Sequence, residues 1–255
     1  MDLNFNIKLA NDYINFSQKV RVMSESWVLK EIYCPSCGES IYDYDNNKPV
    51  ADFYCKNCIE DFELKSKKGK IGKKVSAGSY SQMIKRINSY QKPNFFFMGY
   101  DKENWNVKDF FVVPKHFFIS EIIEQRKPLS ESARRAGWIG SNILFFKIPK
   151  AGQIFYIENG KKFNKKDILE KWQKTIFLKH VKKSDAKGWI LDVMNCIDSL
   201  NKKDFTLQDM YTFEKDLSII HPENKNIKPK IRQQLQFLRD KGYLEFFGDG
   251  NYKLK

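Results

Sequence analysis

The apolar and polar positions divide the chain into a strand-rich first part and a helical last part. Between Phe95 and Pro114 two aromatic and β-branched runs, FFFMGY and FFVVP, flank the polar DKENWNVKD. That pattern predicts two buried strands joined by a hairpin or loop. Upstream, AGSYSQMIKRINS from Ala77 to Ser89 spaces Tyr80, Ile84 and Ile87 on one helical face. A strand–helix–strand order over the first two thirds predicts an α/β core, and the lack of any period of about 20 to 50 residues argues against solenoids and propellers.

The charge rises through FLKHVKKSDAK, Phe177 to Lys187, just before a strongly helical pattern, which predicts a division into residues 1–183 and 184–255. Trp189, Val193, Cys196, Ile197 and Leu200 recur at helical intervals, and Thr206 caps a second helix through Met210, Phe213 and Leu217. A third helix runs from about Ile227, with Ile231, Leu235 and Leu238 on one face, and stops at Gly242. The ending YLEFFGDGNYKLK places Asp249-Gly250 between apolar runs, a hairpin signal whose turn needs positive φ. Three helices and a hairpin predict a small winged-helix domain after the α/β core.

Composition adds a partner. Of the residues, 42% are apolar and 15% aromatic, too rich in both for a disordered chain. The net charge of +14 concentrates polyanions at the surface, and nucleic acid is the expected partner. Six lysines crowd into Lys65 to Lys74, so the charge is clustered. No stretch approaches the roughly 18 apolar residues of a membrane span, and the N-terminus lacks the pattern of a signal peptide. The expectation is a cytoplasmic protein with no membrane partner, and nothing in the sequence requires a protein partner.

Cys34, Cys37, Cys55 and Cys58 form two C-x-x-C pairs separated by seventeen residues, in the knuckle-like contexts CPSCG and CKNC. This spacing predicts a tetrahedral thiolate zinc site. With every position filled by cysteine no place is left for water, so Zn²⁺ would be structural. Cys196, on the inner face of a predicted helix, reads as a small buried hydrophobe.

Asp52 precedes Cys55 by three residues and Glu63 follows Cys58 by five, so the second pair sits in the turn of a hairpin. Strand alternation puts Glu63 and Lys65 on one face, Phe62 and Leu64 on the other, and Asp52 on the facing strand. Two carboxylates and an ammonium converging in this way suit metal-assisted phosphodiester hydrolysis, with Mg²⁺ held by Asp52 and Glu63 while Lys65 orients or deprotonates water. The backbone carbonyl of Leu64 is a further candidate magnesium ligand. His116, His180 and His221 sit in no metal-binding or nucleophile motif and read as surface or partly buried residues, and no phosphate loop or G-x-S-x-G elbow occurs.

The arrangement of Asp52, Glu63, Leu64 and Lys65 resembles the PD-(D/E)xK nuclease signature, with Pro49 three residues before the aspartate. The strings NKPVADFYCKNCIEDFELKSKKG, SARRAGWIGSN, MNCID and KIRQQLQFLRDK are similar to DpnI-type methyl-directed restriction endonucleases over essentially the whole chain. The resemblance implies an α/β (α+β) PD-(D/E)xK core with an inserted four-cysteine zinc site, followed by a winged-helix domain. It also implies Mg²⁺-dependent cleavage of double-stranded, adenine-methylated DNA at GATC. Methyl-dependence comes from the resemblance alone. The rival expectations are a non-catalytic zinc and winged-helix DNA-binding regulator and a nuclease of DNA repair.

An N6-methyl group replaces a hydrogen-bond donor with apolar surface, so its reader needs an apolar plate. Trp138, beside Arg134 and Arg135 in ESARRAGWIGSN, is the candidate, and the alternative is a core tryptophan. In the third helix of the winged domain, Lys228, Lys230 and Arg232 read as uncompensated phosphate contacts, with Gln233 turned away from the Ile231 face.

Overall fold

A computed structural model describes residues 1–44, 51–89 and 91–255, so Pro49 lies outside the described residues. Two compact units are present, Met1–Phe146 with Gly152–Gln173, and Lys147–Ala151 with Lys174–Lys255.

The first unit contains, in chain order, α1 (Phe16–Glu31), β1 (Tyr42–Asp43), β2 (Phe53–Tyr54), β3 (Asp61–Lys68), β4 (Lys74–Ser79), α2 (Tyr80–Asn88), β5 (Asn94–Asp101), β6 (Asn106–Val113), β7 (Ile123–Gln125), β8 (Gly140–Leu144), β9 (Ile154–Glu158), β10 (Lys161–Lys162) and most of α3 (Lys165–Thr175). A seven-stranded sheet runs β1-β2-β3-β5-β6-β9-β10, and a three-stranded sheet runs β4-β8-β7. Among the described residues only β3 and β5 pair in parallel, and β5 is buried along its length up to Asp101 because it is covered on both faces. The predicted hairpin is β5 and β6, paired antiparallel from Phe95↔Val113 to Asp101↔Asn106. Phe95, Phe96, Phe97, Tyr100, Phe110 and Phe111 are its buried rings.

Helix α1 buries Val20, Met23, Ser24, Trp27 and Val28, a 3.6-residue stripe that packs near β3 with the Trp27 ring 5.3 Å from Phe110. Asn15 caps it by accepting from the amides of Ser17 and Gln18. Helix α2 starts later than its pattern suggested. Ala77 and Ser79 pair with β8 as part of β4, and the helix begins where the Tyr80 amide donates to Ile139 O at 3.1 Å. Its buried positions are Met83 and Ile87, whereas Tyr80 and Ile84 are half-buried. The expected face is therefore rotated by about one residue. His116 is not at the surface; it is 4% exposed and packs against Phe117 and Trp172.

The second unit holds α4 (Ser184–Ser199), β11 (Asp204–Thr206), α5 (Leu207–Tyr211), α6 (Glu214–Ile220), α7 (Ile227–Asp240), β12 (Leu244–Phe246) and β13 (Asn251–Leu254). Its sheet order is β11-β13-β12, a winged helix whose hairpin strands β12 and β13 are joined by a third strand. Asp249 and Gly250 both take the left-handed conformation, φ 47° and 77°, as the turn required. The single helix expected from Thr206 to Leu217 is two. Amides of Thr212 and Phe213 donate to Asp209 O and Met210 O, three residues back, and this tightening separates α5 from α6. Ile231, Leu235 and Leu238 form the buried stripe of α7, and Gly242 ends it at φ 74°. No described helix is long and apolar enough to cross a membrane.

Candidate active site and DNA interface

The two cysteine pairs occupy matched knuckles. Gly38 N donates to Cys34 O at 2.8 Å and Ile59 N to Cys55 O at 3.0 Å, while Cys34 and Cys55 donate their amides to Glu39 O and Glu60 O. The residue after each C-x-x-C is left-handed, Gly38 at φ 82° and Ile59 at φ 57°. The four sulfurs lie within 4.8 Å of one another, with Cys34–Cys58 at 3.4 Å and Cys37–Cys55 at 3.5 Å. A tetrahedron with Zn–S of about 2.3 Å has sulfur–sulfur edges of roughly 3.8 Å, so the set fits zinc. Burial drives the Cys34 thiol up and pushes Cys58 up to about 11. Burial acts the same way on Cys37, but donors led by the Asn57 side chain outweigh it and lower that thiol to about 7. Four thiolates here need a cation. Cys196 is buried in α4, with its thiol raised to about 12 by burial.

The knuckle of Cys55 and Cys58 closes the β2–β3 hairpin, in register Phe53↔Phe62 and Tyr54↔Asp61. Asp52 N donates to Phe62 O at 3.0 Å, and the Leu64 amide donates to Asp52 Oδ2 at 2.7 Å. Phe62 is fully buried and stacked on Phe96, which turns Glu63 and Lys65 to the other face. Lys65 Nζ pairs with Glu63 Oε1. Asp52, Glu63 and Lys65 are thus gathered on one end of one hairpin. Burial is the largest influence on Asp52 and raises its carboxyl above the ordinary range, joined by the Glu63 charge and opposed by the Leu64 amide and Lys65.

Glu63 Oε2 is buried and accepts no hydrogen bond. A buried carboxylate oxygen with no hydrogen bond, near a second carboxylate, suits a hard divalent cation, so these residues fit Mg²⁺. Three charged residues around them were not singled out from the sequence. Arg86 Nη2 of α2 lies 3.0 Å from Glu63 Oε2, and on α1 Arg21 pairs with Glu25 at 2.7 Å within electrostatic reach of Asp52. Burial raises the Glu25 carboxyl, opposed by Arg21. The i, i+4 spacing of Arg21 and Glu25 was visible, but only the folded sheet brings α1 and α2 to the hairpin. Between β3 and α2 lies a groove of about 410 Å³ lined by Glu63, Lys65, Ser79, Gln82, Lys85 and Arg86.

Trp138 closes the loop between β7 and β8, where Leu129 N donates to Trp138 O and Gly137 is left-handed at φ 74°. It is half-buried, not a core residue. The Arg135 guanidinium sits 4.7 Å above the ring, Arg134 is exposed, and a Cβ at Gly140 would come within 2.8 Å of the indole. In the second unit Lys228, Arg232 and Gln233 are exposed and Lys230 half-buried on α7. They are less free than expected. Lys228 Nζ pairs with Glu214 at 3.3 Å, Lys230 Nζ donates to Gln233 Oε1 at 2.8 Å, and Arg232 donates to the Tyr211 hydroxyl. These partners come from neighbouring turns and from α5 and α6, which a count of charges along α7 does not reveal.

The sequence model of the DpnI, Dam-replacing family matches residues 1–181, and that of the Dam-replacing helix-turn-helix domain matches residues 185–254.

Proposed function

Because the chain belongs to the DpnI, Dam-replacing family, we propose that it is a Mg²⁺-dependent restriction endonuclease that cleaves double-stranded DNA at GATC sites carrying N6-methyladenine. The observation that carries the reading is the convergence of Asp52, Glu63 and Lys65 at the zinc-closed hairpin, with Glu63 Oε2 left without a hydrogen bond.

Asp52 and Glu63 would hold the ion, with the Leu64 carbonyl completing the set from the same strand. When bound, Mg²⁺ supplies Lewis-acid stabilisation of the charge that develops on the phosphoryl oxygens. Asp52 is oriented for this by the Leu64 amide, which fixes Oδ2 and leaves Oδ1 as the free ligand atom. Lys65, half-buried beside Glu63, orients the attacking water or stabilises the charge that develops on the phosphate. Zinc holds the hairpin closed and takes no part in the chemistry.

Recognition divides between the units. The Trp138 ring offers an apolar plate to the methyl group, with Arg134 and Arg135 for phosphate or guanine. The exposed face of α7, with Lys228, Lys230, Arg232 and Gln233, enters the major groove in the manner of a helix-turn-helix domain. The deciding experiment digests one plasmid, grown with and without adenine methylation, in Mg²⁺. Cleavage of only the methylated form supports the reading. Equal cleavage of both forms removes methyl-dependence, and no cleavage of either removes the enzyme.

A further inference from the structure

Glu63 is held from two sides. Lys65 engages Oε1, and Arg86 Nη2 stands 3.0 Å from Oε2 without the alignment of a hydrogen bond, so the oxygen is neutralised yet still has its lone pairs available. The glutamate side chain is 14% exposed and that of Arg86 29%, so part of the guanidinium faces the groove between β3 and α2. Asp52 and Glu63 contribute two negative charges and Lys65 and Arg86 two positive ones, so the cation-free cluster is neutral. A divalent ion on Glu63 Oε2 would add two positive charges next to the guanidinium and compete with it for that oxygen. A phosphodiester bound in the groove would offer the guanidinium a second anion.

We propose that Arg86 is a transfer clamp: it holds Glu63 Oε2 while no cation is present and passes to a non-bridging oxygen of the bound phosphodiester when a divalent ion takes that carboxylate oxygen. The inference deepens the metal-site reading given above and rests on it. A guanidinium suits both partners because its planar fork matches carboxylate and phosphate alike, and its pull on phosphate grows as charge accumulates there in the transition state. Arg86 is brought within reach because Met83 and Ile87 anchor α2 and leave position 86 at the groove margin.

Two readouts on the full chain test this. Mn²⁺ binding without DNA, followed by electron paramagnetic resonance, should be roughly tenfold tighter in Arg86→Ala, because the cation that competes for Glu63 Oε2 is gone. Cleavage of a methylated duplex at saturating Mg²⁺ should fall about a hundredfold or more. Arg86→Lys should recover part of both. A purely structural Arg86 would give the opposite sign, since a loosened Glu63 binds Mn²⁺ more weakly. Unchanged or weaker Mn²⁺ binding in Arg86→Ala overturns the clamp, as does unchanged turnover. If circular dichroism shows Arg86→Ala unfolded, Arg86→Gln carries the same comparison. Asp52→Ala run in parallel separates the two ideas: if it cleaves normally the metal-site reading fails, and if it is dead while Arg86→Ala is unchanged only the clamp fails.

Discussion

The Leu64 amide donates to Asp52 Oδ2 at 2.7 Å, so the strand that carries Glu63 and Lys65 also orients the carboxylate across the hairpin from them. The bond is local to the turn that carries Cys55 and Cys58, and fold and site therefore share one element. Asp52→Ala, Glu63→Ala and Lys65→Ala should each lower cleavage of methylated DNA by a hundredfold or more, roughly, with DNA affinity little changed, because affinity comes from phosphate contacts spread over the basic surface. Single-turnover kinetics and anisotropy titration on the same variants check this. Normal cleavage by Asp52→Ala would refute the assignment.

Burial raises the Asp52 carboxyl, and this has a cost in stability. A group whose folded pKa lies above its unfolded value contributes stability at pH below the unfolded value, here 3.8, and loses it as pH rises through the folded value. Near neutral pH and without added divalent ion, Asp52→Asn should therefore melt above the wild type, with the difference shrinking on acidification. Melting curves at several pH values measure it. A variant that is less stable at neutral pH would show that the Leu64 hydrogen bond outweighs burial.

The knuckles predict a stabilising substitution. Gly38 and Ile59 occupy equivalent left-handed positions, but a β-branched side chain at φ 57° is strained and, at 83% exposure, buries almost nothing in return. Ile59→Gly should raise stability by about 0.5–1 kcal/mol, the left-handed penalty less the greater backbone entropy of glycine. Elemental analysis of the same preparations should find about one zinc per chain. Cys55→Ser, which removes a ligand buried in the hairpin turn, should lower zinc content and melting temperature together. Full zinc and full stability in Cys55→Ser would sink the zinc assignment.

Local chemistry was legible in the sequence, and rotation and partnership were not. The C-x-x-C pairs, the Asp249-Gly250 turn and the Phe95–Phe97 strand follow from residues within one element or one turn, where spacing suffices. Arg86 was hidden because its role depends on the rotation of α2, set by Tyr80 bonding to Ile139 in a different hairpin. Lys228 looked uncompensated because Glu214 lies fourteen positions away on α6. The break between α5 and α6 was hidden for a related reason, since Met210, Phe213 and Leu217 keep helical spacing across it.

Trp138 should carry methyl discrimination. The indole is half-buried, covered on one side by Arg135 and seated against Gly140, so its place is set by contacts within its own loop. Trp138→Ala should lose roughly 0.8 kcal/mol or more of preference for N6-methylated over unmethylated GATC, the value of one buried methyl-sized group, while retaining cleavage of methylated sites at high enzyme concentration. Competition between the two duplexes measures the ratio. A ratio identical to that of the wild type would move methyl recognition to the winged helix.

Gln233 should read sequence without reading the methyl group. Its carbonyl oxygen accepts from Lys230 Nζ at 2.8 Å and from Gln234 Nε2 at 3.3 Å, so its amide nitrogen is the end left to meet a base. That end only donates, and the major-groove acceptors it fits, purine N7, guanine O6 and thymine O4, are all left in place by N6-methylation. Gln233→Ala should therefore weaken specific binding by about 1–3 kcal/mol on methylated and unmethylated GATC alike. Lys230→Ala should do two things at once, flattening the salt slope by about one unit and releasing the Gln233 carbonyl, so that sequence preference broadens. Lys228→Ala should cost less than either, because wild-type Lys228 gives up Glu214 on reaching a phosphate. Anisotropy titrations at several salt concentrations, on the full chain in an Asp52→Ala background, distinguish these outcomes. A Gln233→Ala defect confined to methylated duplexes would overturn the division of labour between α7 and Trp138.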